Sequence, residues 1–74
     1  MTDVRMVSEW LYPRAALDGA VHAFRGICEV RVEDTPKGSK VTVVSPEAAG
    51  REVSDEFFNL ALVAAAEMYA DTRA

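Results

Sequence analysis

From Ser54 to Tyr69 the chain reads Ser-Asp-Glu-Phe-Phe-Asn-Leu-Ala-Leu-Val-Ala-Ala-Ala-Glu-Met-Tyr, one well-started helix that is apolar around most of its circumference. A small domain shields only one stripe of a surface helix, so the remainder calls for cover from elsewhere. Phe57, Leu60, Ala61, Ala64 and Met68 form one stripe, expected in the core because it joins the helix start to the sheet. Phe58, Leu62, Ala65 and Tyr69 form a second. That second stripe is core if two helices pack side by side. Otherwise it is an association surface, with Phe58 and Tyr69 as aromatic anchors. The 74 residues make one domain, spanning 1–74, with a modest core. A homodimer or a bound partner would add the burial that so small a body lacks.

Upstream of that helix the periodicity changes several times. Val4, Met6 and Trp10 alternate with Arg5, Val7 and Glu9, which predicts a strand with Ser8 as the polar interruption on its apolar face. Pro13 fits the first turn of a helix running to Phe24, with Ala16, Leu17, Ala20, Val21 and Phe24 on its buried side. Gly19 lies within that helix, where it permits close packing on the sheet, and Gly26 is the natural stop. Cys28, Val30 and Val32 alternate with Glu29, Arg31 and Glu33. The stretch Asp34–Ser39 is turn chemistry, and Val41, Val43 and Ser45 resume the alternation. These predict a β-hairpin with a loop longer than the tightest type. A polar connection from Pro46 to Val53, marked by Pro46 and Gly50, leads to Ser54 as N-cap and a helix from Asp55 to about Ala70.

The order β-α-β-β-α predicts an α+β two-layer sandwich, a truncated ferredoxin-like fold with both helices on one face of a three-stranded sheet. A right-handed first crossover gives the strand order 1-3-2 and leaves the first strand at an edge. Natural proteins rarely leave such an edge unmanaged, and here only Arg5 and Glu9 offer protection.

Twelve acids against eight bases give a net charge of −4, and no Lys/Arg run exists, which argues against general nucleic-acid binding. The apolar run Leu60–Ala66 is too short to span a bilayer, and Met1–Arg5 lacks the pattern of a signal peptide, so a cytoplasmic location without membrane contact is expected. Cys28 is the only cysteine and His22 the only histidine. Cys28 reads as a small buried hydrophobe with no neighbouring cation to activate it, and His22 as an exposed helix residue. No catalytic dyad or metal site is expected within one chain. Asp55 and Glu56 are explained by the helix dipole, and consecutive helix positions do not face each other. The scattered glycines match no nucleotide-binding spacing, so no cofactor is expected.

Leu11-Tyr12-Pro13-Arg14-Ala15-Ala16-Leu17, then Ala20-Val21-His22-Ala23-Phe24, the hairpin, and Glu56-Phe57-Phe58-Asn59-Leu60-Ala61-Leu62 together resemble the HxsD-type proteins of the His-Xaa-Ser peptide-maturation systems. That family shows a Tyr-Pro/Ser start, an Ala-rich helix ending in an aromatic, a Val-rich hairpin and a Glu-Phe-x-Asn helix. The resemblance covers roughly residues 10 to 62. His22 stands where the family often has Tyr. The helix turns Ala-rich after Leu62 where an Arg is common, so no charged contact of that helix is carried over. The resemblance implies a non-catalytic accessory of radical SAM enzymes that modify a ribosomally made peptide, with the precursor peptide, the maturase, or both as partners.

An open sheet edge accepts an extended peptide as an added strand. The expected peptide- or partner-binding residues are therefore Val4, Met6, Ser8 and Trp10 on the first strand, with Phe58, Asn59, Leu62 and Tyr69 on the last helix. Asn59 is the family-matching polar residue there, and it either meets a partner or bonds a local backbone group. A structural, homodimerising subunit without a peptide role is the alternative, and an enzyme is a distant third.

Overall fold

The structure is a computed structural model and describes residues 1–46 and 51–72. Strand β1 (Thr2–Ser8) leads through helix α1 (Arg14–Ala23) to strands β2 (Glu29–Thr35) and β3 (Gly38–Val44), and the chain closes with helix α2 (Glu52–Thr72). The sheet is antiparallel throughout, in the order β1-β3-β2, so the α+β arrangement and the strand order follow the sequence expectation. The core joins Leu17 and Ala20 of α1 and Phe57, Phe58 and Ala61 of α2 to Val41 and Val43 of the central strand. Val7, Val30, Val32 and Cys28 pack against it from the same sheet face.

The boundaries depart from expectation where tertiary partners intervene. β1 begins at Thr2 and ends at Ser8, because the Tyr12 N–H bonds the Ser8 carbonyl at 2.9 Å and turns the chain. Trp10 therefore lies in a turn and not on a strand. The hairpin is tighter than expected. Thr35 pairs with Gly38, leaving a two-residue loop of Pro36 and Lys37, and Pro and Gly stand at turn positions that favour them. α2 starts at Glu52, and the Asp55 N–H bonds the Arg51 carbonyl at 3.0 Å, so Ser54 lies inside the helix and is not its cap. Its hydroxyl is instead donated to Asp3 at 2.5 Å. Gly50, expected to mark the end of the polar connection, lies outside the described residues.

Gly19 is exposed, and a Cβ placed there would meet no atom within 4 Å, so it serves no close packing against the sheet. Cys28 is half-buried, and burial pushes its thiol pKa up, in keeping with a small hydrophobe.

Candidate functional site

β1 has β3 on one side and no neighbouring strand on the other among the described residues. Its inward face is the reverse of the expected one. Asp3, Arg5 and Val7 face the helices, while Val4 and Met6 point to the open face of the sheet, Met6 with 66 % of its surface exposed. The parity is set from α2. The Ser54 hydroxyl holds Asp3, and the Arg5 guanidinium donates to Asp55 at 2.8 Å and to Asp3 at 3.0 Å. The same guanidinium lies 4.2 Å from the centre of the Phe58 ring. A cation over an aromatic face gains about 0.5–2 kcal/mol, so the inward charge is accommodated. Arg5 thus stands on the helix-facing side of the edge strand and not on its open face.

The Ser54 hydrogen bond, with help from Arg5, holds the Asp3 carboxyl below its usual range against the opposing effect of burial. Hydrogen bonding to Asp55, and secondarily to Asp3, raises the pKa of Arg5, which stays charged.

The direction of the backbone groups follows from one pair. The Met1 amine donates to the Ser45 carbonyl, and the Ser45 N–H donates to the Met1 carbonyl. In an antiparallel ladder such mutually bonded pairs alternate with open ones. Given the β1–β3 register, Asp3–Val43, Arg5–Val41 and Val7–Ser39 are bonded pairs. The N–H and C=O groups of Thr2, Val4 and Met6, and the N–H of Ser8, then point away from β3. The Ser8 carbonyl is already taken by Tyr12.

The opposite edge is guarded. On the open face β2 presents Glu29, Arg31 and Glu33, and near its end Asp34 pairs with Arg14 of α1 at 2.5 Å. Charged side chains of this kind blunt a sheet edge, and the outer positions of β1 carry none.

α2 follows β1 in the same direction, with Ser54 at Asp3, Asp55 and Phe58 at Arg5, and Tyr69 at Trp10. The Tyr69 hydroxyl donates to the Trp10 carbonyl, and the two rings sit 6.1 Å apart. Leu62 and Tyr69 are two helical turns apart on one flank of α2. Trp10, Leu62 and Tyr69 are all exposed, and the Trp10–Tyr69 pair sets an apolar shoulder just past the end of β1.

The eight expected binding residues therefore divide. Val4, Met6 and Ser8 lie along the open edge, and Trp10, Leu62 and Tyr69 are exposed beyond it. Phe58 does not belong with them. It is only 2 % exposed, wedged edge-on against Tyr12 and Phe57 beneath Arg5, because the helix buries a single stripe of Ser54, Phe57, Phe58, Ala61 and Ala65. The two expected stripes thus exchange members. Phe58 and Ala65 turn inward, while Leu60 and Met68 remain exposed. Asn59 is exposed on the outer side of the helix and makes no side-chain hydrogen bond among the described residues.

Asp3 and Arg5 belong to the site although they are not among the binding residues expected from the sequence. Their signal was opposite charge two residues apart on one strand face, a spacing that places both side chains on the same side.

Among the described residues, no group of three His, Cys, Asp or Glu side chains is placed to hold a metal ion, and no helix is long and apolar enough to cross a membrane. No family model matches the chain, and no curated protein or solved structure matches it either.

Proposed function

We propose that the protein is a cytoplasmic, non-catalytic accessory of a ribosomal-peptide modification system, which binds the precursor peptide, and through it the radical SAM maturase, by strand addition at β1. The observation that carries this reading is the row of outward N–H and C=O groups on Thr2, Val4 and Met6, whose own side chains are uncharged, set against the charged side chains on the outer face of β2. Main-chain bonds would give affinity without regard to sequence. Alternate side chains of the added strand would meet either Val4 and Met6 or the Trp10–Tyr69 shoulder, which would give selectivity. The HxsD-like segments supply the peptide-maturation context, and the sequence departs from that family at His22 and after Leu62.

Titration of a fluorescently labelled precursor peptide against the purified chain tests the proposal. The expected result is saturable binding that Val4→Pro abolishes, because proline removes an outward N–H. No binding, either alone or with the maturase present, removes the peptide-recognition role.

A further inference from the structure

We infer that the β1 edge also pairs with itself, joining two copies of the chain antiparallel about a two-fold axis through Val4 and making one continuous six-stranded sheet. This goes beyond the peptide reading and does not depend on it.

The register follows from backbone direction and charge. Only Thr2, Val4, Met6 and Ser8 turn ladder groups outward, so bonded pairs across the joint must be drawn from these residues. Four positions of the axis satisfy that condition near the middle of the strand. An axis at Asp3 sets Asp3 against Asp3 of the second copy, and one at Arg5 sets Arg5 against Arg5. Like charges directly opposite are destabilising. An axis at Met6 leaves Arg5 facing Val7. With the axis at Val4, Asp3 faces Arg5 of the second copy and Arg5 faces its Asp3. Both are open pairs, in which side chains approach most closely.

The same register sets Val4 against Val4 and Thr2 against Met6 on the open face, covering apolar side chains that the single chain leaves in water. Arg5 has the capacity for the extra contact. Its Nε and Nη2 are bonded within the chain, and its Nη1 makes no such bond among the described residues. The joined sheet has β2 at both outer edges, which are the charged ones. A docking peptide would use the same donors and acceptors, so peptide and second copy exclude each other.

Sedimentation of the intact chain and disulfide trapping test the pairing. In a Cys28→Ser background, Val4→Cys is expected to cross-link to itself about tenfold faster than Met6→Cys, since this register sets position 4 against its own copy and position 6 against Thr2. Val4→Pro is expected to sediment as a monomer with an unchanged circular dichroism spectrum. A wild-type chain that stays monomeric at all concentrations overturns the pairing. So does faster trapping at Met6, or a Val4→Pro variant that still dimerises. None of these measurements uses peptide, so their failure leaves the peptide reading standing. A dimer that bound peptide does not dissociate would instead remove β1 as the peptide site and leave the pairing intact.

Discussion

Gly19 and Gly38 meet opposite steric conditions. At Gly19 an added methyl group would enter open space within a regular helix, so Gly19→Ala is expected to stabilise by about 0.5–1 kcal/mol, mainly by restricting the unfolded chain. At Gly38 φ is +155°, and a Cβ would stand 2.1 Å from the Val7 carbonyl oxygen and 3.0 Å from the Ser8 Cα. Neither backbone atom can yield as a flexible side chain would. Gly38→Ala is therefore expected to cost at least about 1–3 kcal/mol, with denaturant midpoints of the two variants moving in opposite directions. Asp3 contributes to the acid limb. Its carboxyl is held below the ordinary 3.8, first by the Ser54 hydroxyl, so the unfolded chain takes up a proton at higher pH than the folded one. The stabilisation is complete above the unfolded value and is lost as pH falls through the folded value. Urea midpoints measured from pH 6 downward should fall below about pH 4 in the wild type, and Asp3→Asn should flatten that decline.

The elements differ in how much of their fate is local. β2 and β3 alternate cleanly, and the hairpin brings Val30 opposite Val43 and Val32 opposite Val41. α1 buries Ala16, Leu17 and Ala20 as its 3.6-residue period requires. β1 is different, because apolar residues occupy both of its faces and alternation alone permits either to turn inward. The structure resolves this with a contrast that can be measured. Val4 directs its N–H outward, whereas Val7 lies in a bonded pair with Ser39. Val4→Pro is expected to leave folding stability nearly unchanged. Val7→Pro removes a ladder bond to the central strand and should cost on the order of 1–3 kcal/mol. Thermal unfolding of both variants at low protein concentration checks the difference. Equal losses would contradict the assigned direction of the β1 backbone.

At the scale of the whole molecule, the described residues form a two-layer body in which β2 carries charged side chains at one sheet edge and β1 has no strand beside it at the other, with an apolar shoulder at Trp10 and Tyr69. If two copies join through β1, folding is linked to association, and the melting temperature should rise with protein concentration. A melting temperature independent of concentration, in a range where sedimentation shows dimer, would mean that association adds no stability. The candidate edge was legible as an edge because the β-α-β-β-α order allows only a short sheet with β1 outermost. The residues facing a partner were only partly legible. Val4 and Met6 were identified, but as part of an apolar face rather than as carriers of outward main-chain groups. Periodicity leaves Phe58 either in the core or on an association surface, and the packed structure buries it. The reason lies in distance along the chain. Element order, the hairpin and the helical character of the last third arise from periodicities a few residues long, which any local stretch displays. The inward face of β1 and the buried stripe of α2 were decided together, by contacts of Asp3 with Ser54 and of Arg5 with Asp55 and Phe58 across about fifty residues. Such contacts exist only once the two elements have packed, because it is the packed geometry that brings a cation over a ring and a hydroxyl onto a carboxylate.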